Sequence, residues 1–159
     1  MAKMSAGLLM FRRTPKVEVL LVHPGGPFWR NKDLASWSIP KGEYPETEEC
    51  FAAAAREFEE ETGIRPEGEF IPLGKIRQPS GKMVTAWAFE GDCDATAIRS
   101  NLFSLEWPKG SGRMYEFPEV DRAEWFALAP AREKILKGQL GFLDRLAAHL
   151  TAARNGDRT

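Results

Sequence analysis

Two short apolar runs, Ala6 to Phe11 and Val17 to His23, flank the polar, proline-bearing stretch Arg12-Arg13-Thr14-Pro15-Lys16. Run, turn and run predict a pair of strands. Pro24-Gly25-Gly26-Pro27 breaks the second run and opens a loop over Phe28 to Ser36, a candidate substrate lip carrying Phe28, Trp29, Arg30 and Lys32. Trp37 to Pro40 is a brief extended segment, and Lys41 to Pro45 is a second loop. From Thr47 to Thr62 the pattern turns helical, and Gly63 is placed to stop that helix as a C-terminal cap. Phe70 to Ile76 and Met83 to Phe89 predict two strands around a turn at Pro79-Ser80-Gly81, and the middle of the sheet is expected here. Glu106 to Phe117 is interrupted by Pro108, Gly110 and Gly112 and takes no assignment, while Ala123 to Leu128 suits one more strand. After Pro130, Ile135, Leu136, Leu143, Leu146 and Leu150 recur at helical spacing, which predicts one closing amphipathic helix over Ala131 to Leu150.

The helix over Thr47 to Thr62 carries the candidate chemistry. At about 100° per residue Glu57, Glu60 and Glu61 fall in one sector, while Phe51, Ala55 and Phe58 gather toward the other side. Like charges at this spacing repel and lower helix stability by a few tenths of a kcal/mol per pair, roughly. A divalent cation relieves that repulsion, and clustered carboxylate oxygens are hard ligands suited to Mg²⁺, with Mn²⁺ as a substitute. Mg²⁺ commonly takes substrate phosphates as its remaining ligands, which points to phosphate chemistry.

Composition narrows the setting. A chain of 159 residues with 43% hydrophobic content supports one well-buried core, read as a single domain over residues 1–150 with 151–159 as a flexible tail. The net charge of −1 offers no bulk field for a nucleic acid or an anionic membrane, so neither is an expected partner. Cys50 and Cys93 form no C-x-x-C pair, and no apolar run is long enough for a signal peptide or membrane span. A cytoplasmic enzyme is the expectation.

From Gly42 the chain runs five residues to Glu48, seven more to Arg56-Glu57-Phe58-Glu59-Glu60-Glu61, and closes with Thr62-Gly63-Ile64. This is similar at every defined position to the Nudix box, G-x5-E-x7-R-E-U-x-E-E-x-G-U with U apolar. The resemblance implies an α/β/α sandwich around a mixed parallel and antiparallel sheet. It implies that Glu57, Glu60 and Glu61 hold the metal together with the backbone carbonyl of Gly42, where a glycine lets the backbone approach an ion. It also implies a catalytic set of Glu61 as general base, Glu57 as the next candidate, and Arg56 orienting Glu60 from one turn away. Glu48 is read as structural. A further glutamate before the last strand completes such sites, with Glu119 the first candidate and Glu116 the second.

Trp37-Ser38-Ile39-Pro40-Lys41-Gly42 resembles the W-x-x-P-K-G segment of Nudix enzymes that cut diadenosine polyphosphates, and of related diphosphoinositol polyphosphate and nucleoside triphosphate hydrolases. That implies diadenosine tetraphosphate as the leading substrate, cut to ATP and AMP. The rivals are a house-cleaning nucleoside triphosphate pyrophosphohydrolase, a diphosphoinositol polyphosphate phosphohydrolase, and a catalytically silent nucleotide-binding Nudix module. Lys41 and Lys82 are candidate phosphate contacts, and Phe28, Trp29 or Trp37 could stack an adenine. Diadenosine polyphosphate hydrolases of the family often carry a tyrosine after the box, and Arg65 to Phe89 contains none. For an inositol pyrophosphate the basic stock is Arg12, Arg13, Lys41, Arg77 and Lys82.

Overall fold

The structure is a computed structural model that describes residues 3–13 and 15–156. Strand β1 (Met4–Arg13) is the middle of the sheet. It runs parallel to β5 (Met83–Glu90) on one edge, and its far end pairs antiparallel with β2 (Val17–Pro24). β4 (Phe70–Arg77) lies antiparallel outside β5, and β8 (Val120–Ala127) lies antiparallel outside β2. The order β4-β5-β1-β2-β8 therefore corrects the expectation that β4 and β5 hold the centre.

Both faces of this sheet are covered, which is why β1 and β2 read as nearly unbroken apolar runs. Ala6, Leu8 and Met10 of β1 pack with Ala53, Ala54 and Phe58 of helix α1 (Cys50–Thr62). The alternate residues Leu9 and Phe11 pack on the other face with Phe142, Leu143 and Leu146 of helix α3 (Leu140–Gly156). The result is the α/β/α arrangement around a mixed sheet. The single closing helix is corrected to two pieces, α2 (Leu128–Lys134) and α3, because Ile135 leaves the helical path with an extended backbone and is fully buried. α3 also takes in Thr151 to Gly156, which the sequence assigns to the tail; residues 157–159 lie outside the described residues. The uninterpretable Glu106 to Phe117 stretch is a β-hairpin turn with its second strand: β6 (Leu102–Glu106) pairs antiparallel with β7 (Met114–Pro118). Among the described residues no helix is long and apolar enough to cross a membrane.

The short strand β3 (Lys41–Glu43) pairs with the near end of β1, through Ala6 opposite Gly42. Just before it, Trp37 to Pro40 is held from both sides. The Leu8 N–H donates to the Pro40 carbonyl at 3.1 Å, while Val22 and Ser38 exchange backbone hydrogen bonds of 2.9 Å. The 37–43 segment is thus wedged between β1 and β2. Gln139, fully buried after α2, accepts from the Ile39 N–H at 3.0 Å and donates to Ser38 Oγ at 3.0 Å. Gln139→Leu leaves the Ile39 N–H without its acceptor, so a loss of about 1–3 kcal/mol is expected in a urea unfolding curve. An unchanged midpoint would remove Gln139 from the support of this segment.

Candidate active site

α1 begins later than the pattern predicts, at Cys50, because the Glu49 side chain accepts from the Ala52 N–H at 2.7 Å and serves as N-cap. It ends where predicted: Gly63, at φ 76°, donates its N–H to the Glu59 carbonyl. Two parallel rows of side chains set the chemistry of this helix. Ala54, Phe58 and Thr62 lie four residues apart and are all buried; the neighbouring row is Ala53, Glu57 and Glu61. The acidic and packed sectors therefore overlap, whereas the sequence pattern separates them. Phe58 drives into the core, edge-on to Phe89 at 5.3 Å, and carries the adjacent row down toward β3. Glu61 ends up only 7% exposed.

Burial is the main reason that the Glu61 carboxyl is pushed up to about 8. The Lys41 ammonium opposes that shift, and the charges of Glu57 and Glu119 add to it. Glu57 is raised in the same way, by burial first, with Arg56 pulling it back and Glu60 and Glu119 pushing it further. Glu119, still exposed, is shifted up by partial burial and then by Glu60. Lys41 moves the opposite way, down, through desolvation and then through repulsion from Lys82. These mutual effects put Lys41, Glu57, Glu60, Glu61 and Glu119 in one electrostatic neighbourhood. They also separate the two loop candidates. Glu119 acts on Glu57 and Glu61, whereas Glu116 sits exposed on β7 opposite Ser104.

Arg56 is shared among three carboxylates. Its guanidinium donates to Glu48 at 2.8 and 2.9 Å, to Glu57 at 2.9 Å, and to both oxygens of Glu60 at 3.1 Å. The Glu48 hydrogen bond is the largest cause of the raised pKa of Arg56. Gly42 faces the same group from β3: a Cβ placed there would fall inside the Glu57 carboxylate. A hard divalent cation fits this donor set in charge and chemistry, since several carboxylates crowd together beside a bare stretch of backbone. Among the described residues no three acidic side chains close on one point as a finished ligand cage, and Arg56 engages Glu57 and Glu60 instead.

The remaining candidates divide. Lys82 stands beside Lys41 and pairs with Glu43 at 3.1 Å. Trp29 remains accessible in the 28–36 loop, with the Phe28 ring edge-on at 5.2 Å and the Lys32 ammonium 3.7 Å from the Phe28 centroid. Trp37 is a correction. It is 1% exposed, packs edge-on to Phe126 at 5.1 Å, and donates its indole N–H to Asp33 at 2.9 Å, so its ring has no face left for a base. The basic stock for an inositol pyrophosphate does not gather either: Arg12 pairs with Glu18 and Asp92, and Arg13 pairs with Glu90. His23, fully buried, holds the lip down, with Nδ1 2.9 Å from Asp121 and Nε2 2.6 Å from the Lys32 carbonyl. Neither His23 nor Gln139 belongs to a local motif that the sequence would flag, and the contacts that fix them, His23 to Asp121 and Gln139 to Ile39, each span about a hundred residues.

A protein-family model described as NUDIX domain matches residues 1–146. A curated relative, Nudix hydrolase 7 of Arabidopsis thaliana, is 39% identical over 73 residues, which is 46% of this chain and 24% of that protein. The chain thus spans about a quarter of the length of that relative. Among solved structures, an Ap4A hydrolase binary complex from C. elegans is 22% identical, with a TM-score of 0.66 over 93% of this chain and 98% of the other. The NUDIX domain of Shewanella oneidensis NrtR complexed with ADP ribose is 18% identical, with a TM-score of 0.67 over 94% and 89%. At these identities the two structures establish the fold alone.

Proposed function

This chain belongs to the Nudix family, and from that membership we propose that it is a Mg²⁺-dependent hydrolase of a phosphoanhydride bond in a nucleotide, with diadenosine tetraphosphate, cut to ATP and AMP, as the leading substrate. The observation that carries the reading is the buried Glu61 carboxyl, set beside Lys41 and within reach of the charges of Glu57 and Glu119. A purely structural helix gains nothing from burying an acid there, because desolvation disfavours the ionised form.

The roles follow from position. Glu57, Glu60, Glu61, Glu119 and the Gly42 carbonyl would hold the cation. What a bound cation adds is neutralisation of phosphate charge and a lowered pKa of an attacking water. An oxygen of Glu61 would accept the proton of the attacking water, with Glu57 as the alternative acceptor. Arg56 is a positioning residue that orients Glu57 and Glu60 while Glu48 steadies it. Lys41 and Lys82 meet substrate phosphates, and the aromatic lip at Trp29 meets the base.

The test is to incubate the purified chain with Mg²⁺ and, in parallel, diadenosine tetraphosphate, ATP, 8-oxo-dGTP and a diphosphoinositol phosphate, and to resolve the products by ion exchange. ATP plus AMP from the first substrate is the expected result. Pyrophosphate release from a triphosphate would move the chain to the house-cleaning activity. Silence on all four would leave a nucleotide-binding module.

A further inference from the structure

The β6–β7 hairpin leaves and rejoins the body of the fold at one place. Asn101 stands just before β6 and Glu119 just after β7, and the Glu119 N–H donates to the Asn101 carbonyl at 2.9 Å. Asn101 gives its own N–H to the Glu60 carbonyl at 2.8 Å, and Arg99 gives its N–H to the Thr62 carbonyl at 2.9 Å. This segment thus meets two of the carbonyls that the end of α1 leaves without a partner inside the helix. One residue therefore ties the backbone of Glu60 to the backbone of Glu119. Gly25 closes the other side: its N–H donates to the Glu119 carbonyl at 2.9 Å, and a Cβ there would fall 1.9 Å from the Pro118 carbonyl oxygen.

The side-chain part of this clamp is Ser100. Its hydroxyl donates to the Asn101 carbonyl at 2.9 Å and accepts from the N–H of the buried Val120 at 2.9 Å. A hydroxyl can give and take a hydrogen bond at once, so this one joins the segment that enters the hairpin to β8, which follows it.

We propose that Ser100 is a positioning residue of the cation site: its hydroxyl holds the Glu119 loop against the C-terminal end of α1 and thereby sets the affinity for the divalent cation. This rests on the hydrolase reading, in which Glu119 is one of the ligands. Glu119 needs such a hold. Its carboxylate stands at the wall of a cavity of about 440 Å³, lined also by Trp29 of the lip and by Phe103 and Leu105 of β6, and among the described residues it makes no hydrogen bond or ion pair of its own. It also repels Glu60. A carboxylate that nothing grips by its side chain, and that a neighbouring charge pushes away until a cation joins them, stays near the cluster only while its backbone is held there. Loss of the Ser100 hydroxyl leaves the Val120 N–H unpaired and frees the base of the hairpin to carry Glu119 outward.

The experiment titrates Mn²⁺ onto the full chain, followed by electron paramagnetic resonance, in the parent, Ser100→Ala, Glu119→Gln and the double variant. Ser100→Ala is expected to bind Mn²⁺ about tenfold more weakly than the parent, the lower end of what loss of an orienting partner costs. In the Glu119→Gln background no carboxylate is left to position, so the same change is expected to cost less than about twofold, because two changes that act through one group do not add. A serine that only supports the fold would weaken both backgrounds alike. If Ser100→Ala does not fold, Ser100→Cys keeps the shape, offers only a weak acceptor, and is expected to give the same pattern. Ser100 variants that bind Mn²⁺ as tightly as the parent, or equal losses in the two backgrounds, would overturn the role of Ser100 and leave Glu119 a ligand. Glu119→Gln with the parent's affinity would overturn it by a different route, taking Glu119 itself out of the cation site. The readout is binding without substrate, so a chain that turned over no nucleotide would still show the expected pattern.

Discussion

Glu61→Gln is expected to lower kcat by about 10²–10⁴-fold, the range by which a positioned proton acceptor accelerates a reaction, while the metal-free protein becomes more stable at alkaline pH. Both effects come from one buried carboxyl. Glutamine has the same shape and cannot ionise, so the core around Phe58 keeps its packing. In the parent, the folded-state pKa of Glu61 stands at about 8 against an ordinary 4.5. The folded state therefore holds a proton that the unfolded chain releases. Stability in EDTA should fall as pH rises from about 4.5 to about 8, with a slope of up to about 1.4 kcal/mol per pH unit from this group. Mg²⁺ should flatten that slope, since a bound cation favours the ionised carboxylate. Melting temperatures of parent and variant, measured from pH 4.5 to 8.5 with and without Mg²⁺, check this together with kcat. Coincident metal-free curves would reject the buried-acid account, and full activity in the variant would remove Glu61 from the mechanism.

Gly42→Ala should separate function from stability in the opposite sense. The added methyl takes the space of the Glu57 carboxylate, which is the far end of a flexible side chain and can swing aside. The backbone at Gly42 pairs with Ala6 in regular register, and alanine can adopt that conformation. Folding should therefore change by less than about 1 kcal/mol, as at sites away from packing defects. Displacing a group that ligates or orients a ligand costs roughly 10–100-fold in metal affinity or activity. Mn²⁺ titration followed by electron paramagnetic resonance, beside a urea melt, reads the two quantities independently. A normal Mn²⁺ affinity would mean that Glu57 does not need its place against Gly42.

Local pattern carried most of the elements. The apolar runs of β1, β2, β4 and β5 and the Gly63 stop are short-range features, set by side-chain alternation and by a left-handed cap that glycine adopts freely. The spacing from Gly42 to Ile64 likewise identified the acidic helix and its family, because those residues are neighbours on one stretch of chain. Strand order was not legible in the same way. β1 holds the centre only because a parallel partner arrives from seventy-odd residues later in the chain, at Met83 to Glu90. The closing helix read as one piece because periodicity does not register that Ile135 is pulled into the core between α2 and α3.

The site divides along the same line. Sequence by itself determined which helix is acidic, that Gly42 and Arg56 stand at fixed spacing from its glutamates, and that a divalent cation suits them. Only the tertiary structure decided that Glu61 lies on the packed side of α1 rather than at its surface, that the charge of Glu119 acts on Glu57 and Glu61, that Trp37 is core while Trp29 is only half-buried, and that Phe103 from a separate hairpin walls the neighbouring cavity. The physical reason is that spacing along a helix gives the direction of each side chain from its own axis. How deeply that direction points into the protein is set by what packs against it, and α1 packs against residues of β1 and β5 that lie far away in the chain.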